Sequence, residues 1–86
     1  MYTIKYSKQA LKDKEKLKNT TLYEKTYSLI SLIKQNPFMT PPPYEKLVGD
    51  LMGMYSRRIN RKHRIWYSVD KQNKIVYVLR MWSHYE

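Results

Sequence analysis

The chain has 86 residues, 42% hydrophobic and 28% charged, which describes one small globular domain rather than a disordered segment. Seventeen Lys and Arg against seven Asp and Glu give a net charge of +10, a balance that favours polyanionic partners: nucleic acid, an anionic membrane or an acidic protein. The lack of cysteine excludes a disulfide framework and a thiolate metal site, two glycines exclude a glycine-rich phosphate loop, and no apolar run approaches the ~20 residues of a membrane span.

Residues 2–6, YTIKY, alternate and are rich in β-formers, so they predict a first strand. The absence of an apolar core in the first ten residues argues against a secretory signal, and a reducing, cytoplasmic setting is expected. Ser7 is placed to cap a helix over residues 8–18, with Ala10, Leu11, Lys14 and Leu17 near helical spacing and a mostly lysine outer face. Thr21-Leu22-Tyr23-Glu24 fits a capping box opening a second helix that runs to about Gln35. Its core stripe is expected to contain Tyr23, Thr26, Tyr27, Ile30 and Ile33, widened by Leu29 and Leu32. Asn36-Pro37 ends it, and the two helices are expected to form an antiparallel hairpin.

The proline-rich stretch 37–44, PFMTPPPY, reads as a stiff connector that positions Glu45. Leu47-Val48 is expected to start a second strand between turns at Gly49 and Gly53. From Met54 the period becomes two. Residues 55–61 set Tyr55, Arg57, Ile59 and Arg61 on one face, with Ser56, Arg58 and Asn60 on the other. After a turn at 61–63, residues 64–69 set Ile65, Tyr67 and Val69 opposite Arg64, Trp66 and Ser68; residues 74–82 form the strongest strand after a turn at 70–73. The order predicts an α+β fold, a helical pair packed on a twisted, mainly antiparallel sheet of four to five strands.

Nine tyrosines and two tryptophans among the cations suit stacking on single-stranded nucleic acid, and the same rings suit a small core. Two histidines without cysteine make a poor metal set, so no metal and no cofactor is expected. One chemistry needs neither. RNA carries its own nucleophile, the 2′-hydroxyl, and cleavage requires a base, a cation and an acid. Glu45, the arginines between 57 and 64, and His84 are residues of those types.

Three strings sharpen this choice: "YEKL" at 44–47, "YSRRINRKHRIWYSV" at 55–69 and "SHY" at 83–85. Together they resemble the YoeB/Txe toxins of bacterial toxin–antitoxin pairs, within the RelE/ParE superfamily. Ser56, Arg57, Arg58, Ile59, His63, Arg64 and Tyr67 match the central motif SRRI-x(3)-HR-x-x-Y. The resemblance covers nearly the whole chain and implies a RelE-like fold and a ribosome-dependent endoribonuclease acting on messenger RNA. It implies Glu45 as general base, Arg64 as the phosphate-stabilising arginine, His84 as general acid and Tyr85 as the tyrosine completing the site. Arg57 and Arg58 match the basic pair of the strand, and with Tyr55 and Lys46 they are the candidate RNA contacts. His63, in a turn, is read as structural. Two residues depart from the family pattern: Lys46 stands where many members have proline, and Glu86 follows the terminal tyrosine. The resemblance further implies an acidic antitoxin with a partly disordered C-terminal segment and the ribosome as partner. A homodimer is compatible with the family and is not written in the sequence. The alternative from the residues is a binding module without catalysis, or a topoisomerase-poisoning toxin of the same superfamily; Glu45 and His84-Tyr85 are the features a pure binder has no chemical reason to combine.

Overall fold

The computed structural model describes residues 1–49 and 53–81. Strand β1 (Thr3–Tyr6) leads into helix α1 (Lys8–Leu17) and helix α2 (Leu22–Gln35), followed by β2 (Glu45–Lys46), β3 (Met54–Arg58), β4 (Arg64–Asp70) and β5 (Ile75–Arg80). These form a five-stranded sheet in the order β1-β5-β4-β3-β2. Neighbours pair antiparallel except β1 and β5, which run parallel with Ile4 opposite Val76 and Tyr6 opposite Val78. The two helices between β1 and the rest of the sheet supply the long connection that a parallel pair needs.

Period-two alternation divides the sheet into two faces. Ile65, Tyr67, Val76 and Val78 are fully buried against Ala10 and Leu17 of α1 and Leu29, Ile30 and Ile33 of α2, with Ile59 and Met81 closing the core. Each large apolar side chain among them contributes about 1.5–3 kcal/mol on burial, so this face dominates the stability. Trp66 and Arg64 alternate onto the other face, as the sequence pattern predicts.

Ser7 caps α1 as expected: its Oγ accepts from the Ala10 amide at 3.0 Å. The same hydroxyl donates to the Leu79 carbonyl at 2.9 Å, tying the helix start to β5. The expected capping box of α2 does not form. Thr21 makes no side-chain cap hydrogen bond, and Thr20 acts in its place. The Thr20 Oγ1 accepts from the Leu22 amide at 3.2 Å and donates to the Leu17 carbonyl at 2.9 Å. One hydroxyl thus joins both helix ends, bonding a first-turn amide of α2 and the Leu17 carbonyl, which also accepts the Thr20 amide at 2.9 Å. In the core stripe of α2, Thr26 is buried and bonds the Leu22 carbonyl, whereas Tyr27 is 64% exposed. The second strand also differs from expectation. It is Glu45–Lys46 rather than Leu47-Val48, because Glu45 and Lys46 pair with Ser56 and Tyr55 while Val48 lies 81% exposed.

On α1, Leu11 is half exposed and the inward position is taken by Asp13, which is fully buried. Its carboxylate accepts from the Met81 amide and the Arg80 Nε, both at 3.0 Å, and from the Gln9 side-chain amide at 3.2 Å. The contact fixes the end of β5 to α1. Burial pushes the Asp13 carboxyl up, and the Met81 amide, Arg80 and Gln9 together outweigh it, leaving the pKa below the ordinary carboxylate value. A depressed folded pKa contributes stability that is present above the unfolded value, near 3.9, and lost as pH falls through the folded one. Asp13→Ala is therefore expected to lower stability by about 2–4 kcal/mol at neutral pH. Asp13→Asn should flatten the decline in thermal midpoint below about pH 4. Calorimetry from neutral pH downward checks both; a variant as acid-sensitive as the parent would exclude the Asp13 contribution.

Candidate active site

The site is built on the loop 37–44, which is held from beneath by Arg57. Arg57 is 1% exposed. Its Nη1 donates to the Pro42 carbonyl at 2.6 Å, and its Nη2 donates to the carbonyls of Pro37 at 3.0 Å and Met39 at 2.7 Å. Its Nε donates to the Tyr67 hydroxyl at 3.1 Å, which in turn donates to the Pro37 carbonyl at 2.8 Å. The guanidinium carbon lies 5.2 Å from the Tyr44 ring centroid. Only a planar, five-donor fork can serve several carbonyls in this way. Burial raises the Tyr67 pKa, with the Arg57 hydrogen bond and charge working against the rise. Phe38, Tyr44 and Tyr55 close the loop against the sheet in edge-to-face contacts, with centroids 5.3–5.8 Å apart.

This corrects two expectations. Arg57 is not presented to a polyanion, because its donors are spent on loop carbonyls. Tyr55 is taken up by the aromatic cluster on the core-side face of β3, where it also packs on Tyr67. Lys46, paired with Tyr55, shares that side of the sheet, is exposed, and lines a shallow hollow with Leu47 and Val48.

The clamped loop delivers its next residue, Glu45, to the opposite face. There Glu45 stands across from Ser56, and Arg58 across from Arg64. A groove of about 240 Å³ opens between them, lined by Pro42, Pro43, Glu45, Ser56, Arg58 and Arg64. Glu45 Oε1 and Arg64 Nη1 are 3.7 Å apart, with the carboxylate side chain 60% exposed and the arginine only 11%. Among the described residues two guanidiniums face one carboxylate in the groove, a cationic balance that suits a phosphodiester. A larger hollow of about 540 Å³ along β1 and α2 is lined by residues such as Met1, Tyr2, Ile4, Tyr27 and Lys34, with no carboxylate among the described residues that line it. The smaller groove is the one that sets a carboxylate beside two guanidiniums.

His63 sits in the β3–β4 turn, its Nδ1 3.0 Å from Asn60 Oδ1, in keeping with a structural role. His84 and Tyr85, expected as acid and completing tyrosine, lie outside the described residues. Among the described residues no three or more His, Asp or Glu gather as a metal site would require, and no helix is long and apolar enough to cross a membrane. Sequence reasoning missed Asp13 and the clamp made by Arg57, and left Ser56 only as a motif match; the alternation of Ser56 with Arg58 was the one signal for its place in the groove.

Residues 6–85 match the family model described as a YoeB-like toxin of bacterial type II toxin-antitoxin systems. No match is found among curated proteins. Among solved structures, the chain is similar to a YoeB/ParE toxin from Agrobacterium tumefaciens, at 30% identity over 96% of this chain and 99% of that one, with a TM-score of 0.87. It is also similar to a chain of the heterotetrameric YoeB-YefM toxin–antitoxin complex from Staphylococcus aureus, at 31% identity over 99% of both chains and a TM-score of 0.82. A YoeB dimer from the same organism matches at 30% identity over 98% of both chains, with a TM-score of 0.80. An Escherichia coli DinJ-YafQ complex, at 19% identity and a TM-score of 0.80 over 98% of this chain and 94% of that one, shares the fold. With its five-stranded sheet, its two helices and a family match across nearly its whole length, the chain belongs to the YoeB-like toxins of bacterial type II toxin–antitoxin systems, in the RelE/ParE superfamily.

Proposed function

We propose that this protein is a ribosome-dependent endoribonuclease that cleaves messenger RNA without a metal and so inhibits translation. The observation that carries the reading is the Glu45–Arg64 pair at the mouth of a cationic groove, with Arg58 beside it. Glu45 removes the proton of a 2′-hydroxyl. The 2′-oxygen attacks the adjacent phosphorus, and Arg64 exchanges its contact with Glu45 for the phosphate as negative charge develops there. The bond to the 5′-oxygen breaks, and His84 as imidazolium gives that oxygen its proton, with Tyr85 shaping the site beside it. The products are a 2′,3′-cyclic phosphate and a 5′-hydroxyl. The activity resides in one domain spanning residues 1–86, works in the cytoplasm where ribosomes are, and is neutralised by an acidic antitoxin; the net charge of +10 and the toxin–antitoxin complexes of its relatives support that pairing.

The test is incubation with ribosomes programmed with messenger RNA, followed by mapping of 5′ ends. Discrete cuts within codons are expected, and a single 2′-deoxy substitution at the cut position should abolish the cut there. Cleavage of the deoxy position would exclude attack by the 2′-hydroxyl. Tight ribosome or RNA binding with no cut would favour a binding module instead.

A further inference from the structure

Ser56 lines the groove, and the mechanism above gives it no part. It is 1% exposed, and its Oγ has no hydrogen-bond partner among the described residues. Buried hydroxyls ordinarily find a partner, as buried Thr26 does in this chain and as even the half-buried Ser7 and Thr20 do. An orphaned hydroxyl in the middle of a well-packed strand costs stability, and such a group is explained when a ligand supplies the missing partner. Its surroundings say which ligand. Ser56 lies directly across the β2–β3 ladder from Glu45, two residues from Arg58 on the same strand face, and it lines the same groove as Arg64.

We infer that Ser56 contacts substrate, its hydroxyl donating to a non-bridging oxygen of the scissile phosphate once that phosphate lies between Glu45, Arg58 and Arg64. The inference rests on the ribonuclease reading of the groove. The two arginines supply charge, which acts over distance and draws the phosphate in. A neutral hydroxyl adds little at distance and acts only at contact, so it orients the phosphate for in-line attack and strengthens as charge accumulates on that oxygen. The phosphate reaches it by replacing the loose 3.7 Å contact between Glu45 and Arg64.

Ser56→Ala separates this role from a structural one, because an unpartnered hydroxyl can be removed without losing a native hydrogen bond. The urea unfolding midpoint should stay level or rise slightly. Single-turnover cleavage on programmed ribosomes should fall by about 10²-fold, with little change in half-saturation. The specific signature comes from messenger RNA with a stereopure phosphorothioate at the cut position. Wild type should discriminate between the two diastereomers, and Ser56→Ala should lose most of that discrimination. Cleavage at the wild-type rate overturns the inference. So does a slower rate with the diastereomer ratio unchanged and the unfolding midpoint lowered, which marks the hydroxyl as structural. If wild type itself makes no cut, the ribonuclease reading fails first, and this inference with it.

Discussion

Glu45→Gln is expected to slow messenger RNA cleavage on the ribosome by about 10²–10⁴-fold, the range of a well-placed general base, while leaving the unfolding midpoint unchanged. The two halves of that expectation come from different features of the same residue. Glu45 is 60% exposed in its side chain, and its ion pair with Arg64 is a 3.7 Å contact, so the carboxylate carries little of the fold. Glutamine keeps the volume and the backbone pairing of Glu45 with Ser56 and removes only the proton acceptor. Substrate binding should not weaken, since the substitution makes a cationic groove more cationic. The loss should therefore fall on the turnover rate and spare half-saturation. Single-turnover kinetics with toxin in excess over programmed ribosomes measure this directly. A glutamine variant that cuts at the wild-type rate would remove Glu45 from the base role, and an equal loss in both parameters would point to binding instead.

Local pattern was enough to find most of the sheet. The alternation in 64–69 put Ile65 and Tyr67 inside and Arg64 on the opposite face, and that is where they lie. The capping serine of α1 was equally legible, because a helix N-cap depends on residues a few positions away. Features decided by distant partners were not. Asp13 sits in a lysine-rich helix and looks solvated, yet its partners Arg80 and Met81 are 67 and 68 residues further on. Leu47-Val48 looked more strand-like than Glu45-Lys46, but ladder register with Ser56 and Tyr55, which no single segment encodes, chose the latter. The groove was half legible. Family positions supplied Glu45 and Arg64, whereas the cross-strand pairing that brings Ser56 and Arg58 beside them belongs to the register. His84 and Tyr85 were legible as a motif only.

Arg57 was the largest misreading, and it carries the second large expected effect. Arginine in an alternating strand is ordinarily a surface cation, and in a basic chain it invites assignment to RNA. Here its guanidinium is buried with no carboxylate partner among the described residues and is satisfied by the Pro37, Met39 and Pro42 carbonyls and the Tyr67 hydroxyl. Those carbonyls belong to the loop that leads into Glu45, so one side chain fixes both the loop and the position of Glu45. Arg57→Met should cost about 2–4 kcal/mol: several charge-assisted hydrogen bonds are lost, offset in part by no longer burying a charge and by loop carbonyls turning to water. Arg57→Lys should recover little, because a single ammonium nitrogen cannot stand where the guanidinium's Nε, Nη1 and Nη2 each meet a different partner. Urea unfolding of both variants reads the stability term. The positioning term needs conditions where the variants are fully folded. There, cleavage should still fall by about 10²-fold, the scale of a catalytic group displaced by an ångström, with the salt dependence of ribosome binding unchanged because Arg57 meets no phosphate. A weaker salt dependence in Arg57→Met would instead return Arg57 to the RNA-contacting surface and break the link between the clamp and Glu45.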